Sequence, residues 1–224
     1  MKKVLGVFLI LSFVMLFSIT SFAAEANWED GEYVGYVEKD RGDVVMLVDI
    51  KRGSIADVDI LNRFKLNYDY EEGKKAFLEY PHLVESQQSA EIDVISGATG
   101  SINDYNKATN MALNIAAGNY EGNKYYGVAE NFAHGHVLVE ITVNNDKITD
   151  ARLITGDPES DTNMLMPPKG EDYGSEPALE YFKTFPDKVV ENQGEVDMIS
   201  GATHSYNSYN EALRMAMEQA GLME

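Results

Sequence analysis

The sequence contains no cysteine. That excludes disulfides, thiolate-ligated zinc, iron–sulfur clusters, thioether-linked haem, a catalytic thiol and a lipid anchor attached through cysteine. Redox chemistry in this chain therefore needs a cofactor held by other side chains. Positive charge is scarce as well. There are 18 Lys and Arg against 37 Asp and Glu, a formal net charge of -19. Such a surface repels phosphate backbones and anionic lipid, so nucleic acid is not an expected partner. Histidine occurs four times. His134-Gly135-His136 has no supporting ligands close in sequence and reads as a strand edge, not as a metal site. Asp157, Glu159 and Asp161 imitate the start of a calcium loop. Thr162 stands where that loop needs Gly, and Pro168 where it needs Glu, so the reading fails. No Ser-His-Asp order and no paired-carboxylate site is recognisable, so no catalytic residue and no metal ligand is assigned.

What is present reads as a folded chain: 44% of the 224 residues are hydrophobic and 25% charged. One long apolar run occurs, at the start. Lys2 and Lys3 precede Val4 to Phe17, and the small residues Ser18, Thr20, Ser21, Ala23 and Ala24 follow. A basic start, an apolar core and a small-x-small site predict a secretory signal over residues 1–23, cut after Ala23. The other reading is an uncleaved anchor from Val4 to Ala24. Either places the protein outside the cytoplasmic membrane, secreted or associated with the cell envelope.

The chain repeats itself. Asp93-Val94-Ile95-Ser96-Gly97-Ala98-Thr99 recurs as Asp197-Met198-Ile199-Ser200-Gly201-Ala202-Thr203. Ser101, Asn103, Tyr105, Asn106 and Ala108 return as Ser205, Asn207, Tyr209, Asn210 and Ala212. Upstream, Tyr33-Val34-Gly35 parallels Tyr125-Tyr126-Gly127, and Val48-Asp49-Ile50 parallels Val139-Glu140-Ile141. The upstream spacing is shorter, which places extra residues of the second copy between Thr155 and Ser175. The expected units are residues 27–118 and 119–224, each expected to fold independently.

In both copies strand-like segments precede helix-like ones. Gly31–Glu38, Val44–Lys51 and Ile55–Leu61 alternate in the strand manner, and His136–Val143 and Lys147–Ile154 read as a hairpin through Asn144-Asn145-Asp146. A short helix is expected to lead to Pro81 and, in the second copy, to Pro186. After the motif comes a helix with Ile102, Tyr105, Ala108, Ala112, Ile115 and Ala116 on one face. Its counterpart carries Tyr206, Tyr209, Leu213, Ala216 and Ala220. The order predicts an α+β fold, two tandem antiparallel sheets each covered by helices.

The motif has readable parts. Gly97 and Ala98 let the backbone bend, and Thr99 presents a hydroxyl on the bend. Ser101 is expected to cap the following helix, with Asp104 completing a capping box; Ser205 is the cap of the second copy. A hydroxyl at a helix start lies where free amides and the dipole favour an anion. Asp93 is expected to brace the turn at Ser96–Gly97. Taken alone, the seven residues describe a duplicated structural device and name no ligand.

Asp-x-x-Ser-Gly-Ala-Thr resembles the acceptor motif of covalently flavinylated FMN-binding domains. Residues 93–99 and 197–203 match it at every fixed position, and the resemblance spans nearly the whole chain after the signal. Similar domains occur in ion-pumping redox complexes and in exported flavoproteins of Gram-positive extracellular electron transfer. The resemblance implies two FMN groups, each attached by a flavin transferase through a phosphoester to Thr99 and Thr203. It implies Asp93, Ser96, Gly97 and Ala98, with Asp197, Ser200, Gly201 and Ala202, as cofactor-binding residues. It further implies a membrane or envelope electron donor and an extracellular acceptor, with a small extracytoplasmic flavin-dependent reductase as the alternative. The exported relatives are commonly lipoproteins, and this chain lacks the cysteine for that. Tyr105, Tyr209 and the asparagines Asn103, Asn106, Asn207 and Asn210 are either cofactor neighbours or ordinary helix residues.

Overall fold

The computed structural model describes residues 27–39, 42–61, 70–93, 95–130, 135–156 and 165–223. The signal segment, His134 and the acids 157–161 lie outside them. The first repeat comprises β1 (Gly31–Val37), β2 (Val44–Lys51), β3 (Ser54–Ile60), α1 (Glu71–Gln87) and α2 (Thr99–Ala116). The second comprises β4 (Lys124–Ala129), β5 (Val137–Asn144), β6 (Lys147–Ile154), α3 (Glu176–Asn192) and α4 (Thr203–Gln219). Each forms a three-stranded antiparallel sheet, ordered β1-β2-β3 and β4-β5-β6, followed by two helices. This is the expected tandem α+β architecture. No helix among the described residues is long and apolar enough to cross a membrane.

Turn chemistry sets the second hairpin of each sheet. Arg52 and Gly53 link β2 to β3 with φ of 57° and 68°; Asn145 and Asp146 link β5 to β6 with 51° and 58°. Two successive left-handed residues suit the right-handed twist of paired strands. Strand alternation then sends Val44, Met46, Val48 and Ile50 to the first helix-covered core, joined by Ile102, Tyr105, Ala108 and Ala112 of α2. Val137, Val139 and Ile141 do the same beneath α4, with Tyr209, Leu213 and Ala216. The predicted helix faces are the buried ones.

One glycine per repeat lets strand and helix touch backbone to backbone. A Cβ on Gly35 would stand 1.7 Å from the carbonyl oxygen of Ala108, and one on Gly127 1.9 Å from that of Ala212. No side chain larger than hydrogen fits there.

Helices α1 and α3 differ from expectation. Each runs 17 residues and carries its proline inside, Pro81 and Pro186, where the sequence suggested an end. Buried neighbours on both sides of each proline, Phe77, Tyr80 and Val84 in α1 and Tyr181, Phe185 and Val189 in α3, anchor the helix across the missing hydrogen bond. Both helices end on a glutamine in the left-handed region, Gln88 (φ 51°) and Gln193 (φ 56°). The Gln88 amide accepts from the Ile55 N–H (2.8 Å) and donates to the Ile55 carbonyl (2.9 Å). Gln193 does the same to Ile148, at 3.0 and 2.8 Å. A side-chain amide thus imitates a strand residue and ties each first helix to its sheet.

The outer faces of the two sheets meet in a third apolar core. Val34, Tyr36, Val45 and Leu61 of the first repeat pack with Tyr126, Val128, Leu138 and Ile154 of the second. Tyr36 stacks on Tyr126 with ring centroids 4.7 Å apart. Beside them lies Glu140, 1% exposed. Arg152 grips it through two hydrogen bonds of 2.9 and 2.8 Å, and Lys124 adds one of 3.0 Å. Arg152 also approaches Glu38 of the first repeat at 3.9 Å. Burial pushes the Glu140 carboxyl up, but the hydrogen bonds from Arg152, Tyr126 and Lys124 outweigh it and hold the group below its ordinary value.

Candidate functional site

Each motif folds into the same turn and helix start. Asn106 donates to the Ile92 carbonyl (3.0 Å), and buried Asn210 both accepts from the Val196 N–H (2.9 Å) and donates to its carbonyl (3.0 Å). These asparagines are therefore not solvated; they fasten the approaching chain to the helix. Ile95 and Ile199 pack against their cores. Met198, the neighbour of Ile199, is 55% exposed, and Val94 lies outside the described residues. The backbone then reverses at Gly97 (φ 84°) and Gly201 (φ 92°), where only glycine sits without strain. The amides of Ala98 and Ala202 donate to the carbonyls of Ile95 and Ile199, both at 2.9 Å. Ala98 and Ala202 are buried and plug the turn into the core.

The turns close through their own backbone. Asp93 and Asp197 lie exposed, as do Ser96 and Ser200, and no hydrogen bond from the turn amides to Asp93 or Asp197 is present among the described residues. The expected brace is thus not made. The capping box is not made either, because the helices begin three residues earlier than expected. Thr99 and Thr203 are their first residues, with Ala98 and Ala202 at the cap positions and no side-chain cap. Asp104 pairs instead with Lys39 (2.9 Å). Ser205 is buried and hydrogen-bonds the Tyr209 hydroxyl.

The result is an exposed threonine hydroxyl at the first position of an 18-residue helix, and again at the first position of a 17-residue helix. The first hydrogen bonds inside the helices come from Ile102 to Ala98 (3.0 Å) and from Tyr206 to Ala202 (2.9 Å). The amides of residues 99–101 and 203–205 are left to face outward. In a chain so rich in acids, neither first turn contains one. By contrast α1 begins with Glu71 and Glu72, and α3 with Glu176. The positive ends of the two motif helices thus carry no acid of their own, a field that favours an anion. A Cβ on Gly100 would meet nothing within 4 Å, so there is room beside Thr99. Exposed apolar side chains lie against each turn: the Tyr70 hydroxyl donates to the Gly97 carbonyl, and the Thr203 hydroxyl sits 3.9 Å from the Met198 sulfur. Tyr105 and Tyr209 are 1% and 0% exposed and belong to the cores; burial raises both phenols.

The model of the FMN-binding domain matches residues 41–114 and 133–218. The chain belongs to the FMN-binding domain family. Each matched stretch of this FMN-binding protein contains one complete motif, 93–99 or 197–203, so it carries two such domains in tandem and is a flavoprotein. No curated protein and no solved structure gives a match. The groups present fit FMN: a free hydroxyl, open helix-start amides for a phosphate, and exposed apolar surface for a flat ring. Sequence reasoning missed Tyr70, Met198 and a buried lysine, Lys169, near the second site. Tyr70 and Met198 carried a faint signal, as large apolar groups just before a helix and inside a motif.

Proposed function

We propose that this protein is an exported electron carrier holding two FMN groups, one esterified to Thr99 and one to Thr203. The observation that carries the reading is the duplicated geometry: two exposed threonine hydroxyls, each at the first residue of a long helix whose opening turn has no acid and no cap. A flavin transferase joins the threonine oxygen to the flavin-side phosphorus of FAD, and AMP departs. The open amides of residues 99–101 and 203–205 would hold the phosphate, and the helix dipole would stabilise its charge. The bound flavin supplies one- and two-electron chemistry. Covalent attachment suits a site outside the cell, because an exposed, shallow site would lose a merely bound cofactor to dilution. The signal read from residues 1–23 supports export, and with it we propose a donor in the membrane or envelope and an extracellular acceptor.

The test is intact mass after co-expression with a flavin transferase and export. Two FMN increments are expected, and one in each of Thr99→Ala and Thr203→Ala. The double variant stays folded and colourless after denaturation. Yellow denatured double variant would place the anchors elsewhere.

A further inference from the structure

Lys169 lies in the stretch preceding α3 that lengthens the second repeat, and it is 7% exposed. Its ammonium faces no carboxylate among the described residues. Its neighbours are the Met166 sulfur at 3.5 Å and three aromatic rings: Tyr173 at 4.7 Å from the centroid, Tyr209 at 5.6 Å and Phe182 at 5.8 Å. Lys39, Lys124, Arg152 and Arg214 all find acids. A buried ammonium without an anion is costly, and aromatic faces offset that only in part. Burial accordingly pushes Lys169 below the ordinary lysine range.

The box adjoins the second motif. The Tyr209 hydroxyl reaches the Met166 sulfur at 3.4 Å and hydrogen-bonds Ser205, the third residue of α4. Thr203 is the first residue of that helix. Phosphate on Thr203 is already matched by the open amides of residues 203–205. Tyr209 and Met166 close the box from inside, while the half-buried rings of Tyr173 and Phe182 form its outer side, which suits a flat aromatic ligand and not a hydrated phosphate.

We propose that Lys169 is the cationic partner of the flavin ring carried at Thr203 and stabilises its reduced form. Two-electron reduction with uptake of one proton leaves one negative charge on the pyrimidine side of the ring. An ammonium held among aromatic faces would meet that charge and raise the reduction potential. The proposal rests on the reading of Thr203 as an attachment residue.

The experiment uses flavinylated full-length Thr99→Ala, which isolates the second flavin, with and without Lys169→Met or Lys169→Arg. Methionine keeps the length, removes the charge and relieves a buried ion, so folding is preserved. Intact mass first counts the flavin. With FMN present, Lys169→Met is expected to weaken the reduced form relative to the oxidised one at least tenfold, a midpoint about 30 mV lower. Lys169→Arg restores most of the difference. An unchanged or higher midpoint in Lys169→Met overturns the role of Lys169 while leaving the flavin reading intact. Absence of FMN from Thr203 overturns the attachment reading instead. Free FMN titrated against the unflavinylated proteins then decides on Lys169. Weaker binding by Lys169→Met supports it, and equal binding, or none in either protein, overturns it.

Discussion

At the scale of single residues, the fold depends on a few positions that tolerate nothing else. Gly35 and Gly127 are the clearest, since an added methyl group would overlap a helix carbonyl. Gly35→Ala or Gly127→Ala is expected to destabilise by about 3 kcal/mol, because helix and strand must part along their length. Urea unfolding measures it. Gly100→Ala meets open space and is the matched control, expected to be near neutral. Gly97→Ala and Gly201→Ala are strained by their backbone angles and are each expected to cost about 1–2 kcal/mol. They should also lower flavin occupancy of the neighbouring threonine, read by intact mass, because the hydroxyl is aimed by that turn.

At the scale of elements, the glutamine ends of α1 and α3 are the connection to test. Gln88→Ala removes two hydrogen bonds to Ile55 and keeps an unfavourable left-handed angle. A loss of about 2–3 kcal/mol follows. Gln88→Gly loses the same bonds but relaxes the angle, so it should fall about 1 kcal/mol less. Hydrogen exchange at the Ile55 amide should quicken in both. Neither this tie nor the prolines inside the helices was legible in the sequence. A proline reads as a helix end when only the chain is considered, and the compensation comes from burial of Tyr80 or Phe185 beside it. The helix starts were misplaced for a related reason: Ser101 and Ser205 are better caps than alanine, yet burial of Ala98 and Ala202 sets the boundary. What local chemistry controls was legible. Asn145-Asp146 announced its hairpin, the apolar stripe of α2 its buried face, and the repeated motif its paired turns at Gly97 and Gly201. Lys169 was not legible, because a cation in an aromatic box is made by residues on separate elements.

At the scale of the whole molecule, the core between the sheets changes the expectation that each repeat folds alone. Residues 27–118, expressed separately, would expose Val34, Tyr36, Val45 and Leu61. That fragment is expected to self-associate, which light scattering coupled to size exclusion would detect; a stable monomer would show the outer face to be dispensable. Glu140 makes this seam sensitive to acid. Its carboxyl is held below the ordinary 4.5, so its contribution is complete above that value and fades as pH falls through the lower, folded value. Glu140→Gln should lose about 1.5 kcal/mol at neutral pH, where the charge-assisted hydrogen bonds from the half-exposed Arg152 and Lys124 are weakened. The difference from the native protein should shrink below pH 4.5, followed by thermal melting across pH.

The faces that meet in the seam occupy equivalent places in the two repeats: Gly35 matches Gly127, so Val34 matches Tyr126 and Tyr36 matches Val128. All four share the third core. A single copy with this face is complementary to itself, in the manner of a two-fold symmetric dimer. Joining the copies in one chain turns that association into an intramolecular step, governed by effective concentration and no longer by dilution. Under the proposed export the protein would meet dilution at once, and the fused pair keeps its two threonines on one body at any abundance. Fusion also frees the halves to diverge, as Val34 and Tyr126 already have, so a site such as that of Lys169 can arise in one half without being imposed on the other.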